Sequence, residues 1–111
     1  NIFKCRHSIM MNKNQHLLQI LAEECSEVIK EVSKSLRFGP EDSYPGKTET
    51  NAELISREFI EAIAVRNMLV EAGVLTIPVD AFEISEAKRA KVLKYLDYSS
   101  QKGMVDETKE D

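Results

Sequence analysis

The 111-residue sequence predicts an all-α protein of the four-helix-bundle type. Three observations predict it. Apolar residues recur at helical spacing over three long stretches. Gly and Pro are few, four and three, and most fall between those stretches. Each stretch also opens on residues that cap helices.

Residues 1–11, NIFKCRHSIMM, carry no clear period and do not begin with Met, so they read as an N-terminal extension outside the domain. Asn12 or Asn14 caps the first helix. Leu17, Leu18, Leu21, Cys25, Val28, Ile29, Val32 and Leu36 supply its apolar positions. The helix runs to about Arg37, and Gly39-Pro40 stops it. Residues 38–49, FGPEDSYPGKTE, form a loop longer than most bundle connections, a length often found in functional covers.

Thr50-x-x-Glu53 is a capping-box pattern for the second helix, with Asn51 as the alternative cap. That helix runs to Ala72, and Gly73 ends it. Its second half, EFIEAIAVRNMLVEAG, is apolar on nearly every side and is expected to be the most buried element. Asp80-x-x-Glu83 caps a third helix reaching about Tyr98, with Phe82, Ile84, Ala87, Ala90, Leu93 and Leu96 as apolar positions. The segment 99–111 is polar and reads as a flexible tail. One domain over 12–98 is expected. With three long helices per chain, a partner copy is expected to complete the bundle, as a homo-oligomeric dimer or tetramer.

The net charge of −4 argues against a nucleic-acid-binding surface. No apolar run approaches ~18 residues, which argues against a membrane span, and no signal peptide is visible. Cys5 and Cys25 make no metal-type spacing. Cys25 on the apolar stripe reads as a buried, reduced thiol, and the location expected is cytoplasmic.

Carboxylates interrupt this pattern. At ~100° per residue, Glu24 falls between Ile20 and Val28, beside Leu17 and Leu21, and Glu27 follows one turn later at the edge of the stripe. On the second helix Glu58 and Glu61 share a face with Leu54, Ala62, Val65, Met68 and Leu69. One Glu-x-x-Glu pair is common on solvated helix faces, and Glu27 can pair with Lys30. Two such pairs on the apolar stripes of successive helices would, on antiparallel packing, bring four carboxylates together. Unneutralised, they would repel each other and hold protons. A hard divalent cation such as Mg²⁺, with oxygen ligands and exchangeable waters, resolves the conflict. A di-iron bundle wants Glu-x-x-His pairs, and neither His7 nor His16 follows a Glu at that spacing. No Walker-type loop or Ser/His/Asp set is visible.

The pattern Glu23-Glu24-x-x-Glu27 followed by Glu58-x-x-Glu61 resembles that of the MazG-like all-α nucleotide pyrophosphohydrolases, whose motif is Glu-x-x-Glu, a spacer, then Glu-x-x-Asp. LAEECSEVIKEVSKSLRFG and AKRAKVLKYLDYS look like a small phage and bacterial subgroup. The resemblance spans roughly Gln15 to Gly103, and Glu61 departs from it where the family has Asp.

The resemblance implies cleavage of (deoxy)nucleoside triphosphates to monophosphate and pyrophosphate, in the service of nucleotide-pool cleaning. It implies that Glu24, Glu27, Glu58 and Glu61 hold Mg²⁺, or Mn²⁺ in its place, with Glu24 or Glu27 as base. Arg37, Lys88, Lys91 and Lys94 are candidates for phosphate contact. Phe38, and Tyr44 in the loop, are candidates for stacking on a base. A solvated helix face is the alternative for the lysines, and a plug at the helix end for Phe38. Two rival functions are a related pyrophosphohydrolase acting on phosphoribosyl-ATP and a non-catalytic helical module that keeps the fold.

Overall fold

The computed structural model describes residues 10–109, and all of its regular structure is helical. Helix α1 spans Lys13–Phe38, α2 Asn51–Glu71 and α3 Ala81–Gln101. Most of the expected N-terminal extension lies outside the described residues, Cys5 and His7 with it. Met10 and Met11, its last two, are exposed. The chain divides between Thr76 and Ile77 into two compact units, one holding the α1–α2 pair and the other α3.

Local chemistry sets the ends of α1. The Asn12 side chain accepts from the Gln15 amide at 2.8 Å, and the Gln15 side chain accepts from the Asn12 amide at 3.0 Å. This reciprocal box satisfies two of the N–H groups a helix start leaves open. At the other end Gly39 takes φ 97°, and its N–H donates to the Ser35 carbonyl at 2.9 Å. The connection that follows is tied back on both sides. The Asn51 side chain donates to the Gly39 carbonyl at 2.9 Å, and its amide donates to the Asp42 carbonyl at 2.8 Å. Asn51 is 3% exposed, so these bonds replace water that it has lost. Tyr44-Pro45-Gly46-Lys47 closes a turn through a 2.9 Å bond from the Lys47 amide to the Tyr44 carbonyl, with Gly46 at φ 83°.

Thr50 caps α2, its hydroxyl accepting from the Glu53 amide at 3.1 Å. The Glu53 carboxylate accepts from the Thr50 hydroxyl at 3.2 Å, so this start carries one half of the expected box. The end of α2 is closed by Gly73 at φ 76° and by the Val74 amide on the Leu69 carbonyl at 2.9 Å.

The two helices run antiparallel. Lys13 and Leu17 share a cleft with Met68, Glu71 and Ala72, while Lys34 and Phe38 share one with Asn51. Leu17, Ala62 and Leu69 form the buried apolar centre. Two expectations of burial are corrected here. Cys25 is exposed rather than buried. The second half of α2 buries only Ala62 and Leu69, while Phe59, Ile60, Ile63 and Met68 stay exposed. Within this unit α1 and α2 each have the other as neighbour, which covers one stripe, and both carry apolar residues over a wider arc than that.

In the second unit, α3 reaches Gln101, three residues beyond the expected end. Ser99–Gln101 are therefore helical rather than tail, and Gly103 at φ 76° with the Met104 amide on the Ser99 carbonyl closes the helix. Asp80 occupies the N-cap position, but its side chain makes no capping bond. Its backbone, at φ −97° and ψ 28°, lies outside the extended conformation that N-capping favours. No residue of α3 is buried.

Candidate metal centre

Antiparallel packing of α1 on α2 brings the two Glu-x-x-Glu pairs to the same level of the hairpin. Three of the four carboxylates converge. Oxygen atoms of Glu24, Glu58 and Glu61 all lie within 4.8 Å of one another. Glu24 and Glu58 are half-buried and Glu61 is exposed, so the cluster opens to solvent on the Glu61 side.

Its electrostatics follow from that geometry. Among the described residues, no Lys, Arg or His nitrogen lies within 4.0 Å of these three carboxylates. Oε2 of Glu24 is enclosed and accepts no hydrogen bond, a costly state for a carboxylate oxygen. The Glu58 carboxyl is raised above its ordinary value of 4.5. Burial is the largest cause, followed by the hydrogen bond to Glu61 and its charge, then the charges of Glu24 and Glu27. These groups crowd negative charge at one place and leave a buried oxygen without a partner. A hard divalent cation that takes oxygen ligands matches both features.

Glu27 stands apart from the three. It is half-buried, close enough for its charge to act on Glu58, and 3.9 Å from the Lys30 ammonium. Three residues beyond Glu24, it is turned roughly 60° around the helix toward the solvent edge.

The structure places the remaining candidates elsewhere. Arg37 lies thirteen residues beyond Glu24, roughly 20 Å along the helix axis, and its guanidinium sits 4.9 Å from the Phe38 ring centre. Phe38 is exposed rather than a plug, and lines a cleft of about 270 Å³ with Tyr44, Lys34 and Asn51. Lys88, Lys91 and Lys94 are exposed on α3 in the second unit, with Lys94 5.8 Å from the Tyr95 ring centre.

Sequence reasoning missed Glu31. It is 6% exposed, and the Lys34 ammonium lies 3.2 Å from its Oε2. That contact is an ion pair by distance, but it lacks the direction of a hydrogen bond. The signal was present: Glu31 follows Glu24 by seven residues and returns to within roughly 20° of it on the helix, with Lys34 three residues on.

No family model matches this chain, and no curated protein or solved structure matches it either.

Proposed function

We propose that this chain is a Mg²⁺-dependent nucleoside triphosphate pyrophosphohydrolase of the MazG-like, four-helix type, acting on cytoplasmic nucleotide pools. The observation that supports the reading is the convergence of Glu24, Glu58 and Glu61 from two successive helices, with no Lys, Arg or His nitrogen within 4.0 Å of them among the described residues. In this reading those three carboxylates hold the ion. The unpartnered Glu24 oxygen and the raised Glu58 carboxyl are what a site built for a cation looks like before neutralisation. When bound, the ion neutralises substrate phosphates and lowers the pKa of a coordinated water.

The chain's own residues divide the rest of the work. Glu27, outside the cluster but beside it, is the residue we propose as the base that takes a proton from an attacking water. The open Glu61 side admits the triphosphate. Lys88, Lys91, Lys94 and Arg37 remain the proposed cations for its charge, Arg37 of the same copy being too distant for the cleavage site itself. Glu61 is longer by one methylene than the Asp of the family motif, and its exposure leaves it free to adjust its rotamer.

The test is pyrophosphate release across the common ribo- and deoxyribonucleoside triphosphates, with phosphoribosyl-ATP included. The proposal expects release with Mg²⁺ that stops with EDTA and in Glu58→Gln. Release from phosphoribosyl-ATP alone would move the substrate assignment to that rival. No release from any substrate, by protein that still binds Mg²⁺, would favour the non-catalytic module.

A further inference from the structure

We propose that one face of α3 is a binding surface for single-stranded nucleic acid. The chain's net charge of −4 is unevenly spread: from Ile84 to Lys102, five cations stand against two carboxylates. Lys88, Lys91, Tyr95, Tyr98 and Lys102 follow one another at spacings of three and four, so they form one stripe along the helix. At ~100° per residue all five fall within roughly 40° of its centre line. Lys94 stands beside the stripe, with its ammonium 5.8 Å from the Tyr95 ring centre, and the Lys102 ammonium is 5.4 Å from the Tyr98 ring centre.

The stripe holds no carboxylate. Glu86 and Asp97 are turned roughly 140–160° from its centre line. Each has a partner of its own: Asp97 accepts from the Gln101 side-chain amide at 2.9 Å, and Glu86 lies 4.0 Å from Arg89. Among the described residues, no carboxylate oxygen lies within 4.0 Å of the ammonium of Lys88, Lys91, Lys94 or Lys102. Four exposed positive charges therefore go unneutralised along one helix face, and two tyrosines, 53% and 56% exposed, lie among them.

Charge and rings together decide the partner. A row of lysines matches the phosphates of a strand, and pairing them releases counterions. A base of any kind stacks on an exposed tyrosine, because every base has a π-face. From Lys88 to Lys102 the stripe is roughly 21 Å long, room for about four nucleotides, the small end of single-strand sites. A duplex keeps its bases stacked on one another, so it offers the lysines phosphates and the tyrosines nothing. A lipid surface fits less well. Phe82, Val92, Leu93 and Leu96, the side chains of α3 suited to entering one, are exposed on a face centred roughly 135° from the stripe. A helix lying on lipid by that face would turn its lysines away from the headgroups. Lys88, Lys91 and Lys94 are also the lysines proposed above for the triphosphate. Tyr95, Tyr98 and Lys102 have no part in that reading, and the strand needs neither the metal centre nor a triphosphate.

The test is the fluorescence anisotropy of a short labelled oligo(dT) or oligo(U) without a 5′ phosphate, titrated with the full chain in EDTA. The proposal expects either strand to bind, with an affinity that falls roughly twenty- to fiftyfold between about 50 and 200 mM salt, as three or four phosphate contacts require. Tyr95→Ala and Tyr98→Ala should each weaken binding about fivefold or more, while Tyr98→Phe, which keeps the ring, should bind like the wild type. Lys91→Gln should lower the salt slope by ~0.7. Glu58→Gln should bind as tightly as the wild type, which separates this surface from the metal centre. No binding at the lower salt overturns the proposal. So does equal binding of a duplex of the same length, binding indifferent to both tyrosines, or a preference for phosphatidylserine vesicles over either strand.

Discussion

Replacing Glu58 by Gln should stabilise the metal-free protein at neutral pH, the opposite of what losing a half-buried hydrogen-bonding side chain usually does. The Glu58 carboxyl is raised in the folded chain, so the fold favours its protonated form. Its contribution to stability is therefore fully present below the unfolded value near 4.5 and is lost as the pH rises through the folded value. By pH 7 the carboxylate is a liability, standing within 4.8 Å of Glu24 and Glu61. At that separation each like-charge pair costs ~1 kcal/mol in water and several times more in a shielded site. Glu61 is exposed and Glu58 only half-buried, so the watery end applies, and relieving two pairs is worth roughly 1–2 kcal/mol.

For a chain of this size, that is a melting shift of about 5–10 °C. The assay is thermal unfolding followed by far-ultraviolet circular dichroism in EDTA from pH 4 to 8. Glu58→Gln should melt above the wild type at pH 7, and the gap should close toward pH 4. Adding Mg²⁺ should reverse the order, because an ion at a hundred times its Kd stabilises the wild type by ~2.7 kcal/mol and has lost a ligand in the variant. If Glu58→Gln melts below the wild type at pH 7 in EDTA and Mg²⁺ moves neither, the carboxylates do not form a strained cluster and the reasoning fails.

Three other outcomes are expected. Leu69→Ala, at the one fully buried large side chain among the described residues, should cost ~2–5 kcal/mol in urea unfolding. Asn51→Ala leaves the Gly39 carbonyl without its side-chain donor and should cost ~1–3 kcal/mol by the same measurement. Lys34→Met removes the only cation within 4.0 Å of Glu31 among the described residues, so stability should fall by roughly 3 kcal/mol at pH 7. Glu31→Gln in the same background should restore part of it.

How much of this was legible in the sequence depended on the range of the interaction. Asn12, Thr50, Gly39 and Gly73 were readable because a cap is made within four residues of itself. The meeting of Glu24 with Glu58 and Glu61 was readable because helical period and antiparallel packing suffice to predict it. The offset of Glu27 from Glu24, roughly 60° about α1, was also readable from the period, but which carboxylate oxygens come within 4.8 Å of one another was not, since packing and side-chain rotamers set that. Cys25 was misread for a related reason. Both helices carry two apolar stripes, and periodicity does not say which stripe meets the neighbouring helix. Asp80 failed because the connection after Pro78 gives it a backbone conformation in which its side chain does not reach the helix N–H groups.

Calorimetric titration of Mg²⁺ into the metal-free protein tests the central claim most directly. The account predicts one ion per Glu24–Glu58–Glu61 cluster, binding that is lost or at least tenfold weaker in Glu24→Gln and Glu58→Gln, and unchanged binding in Glu23→Gln on the solvated face. Equal Mg²⁺ affinity in all four proteins, or no binding by the wild type at millimolar ion, would contradict it.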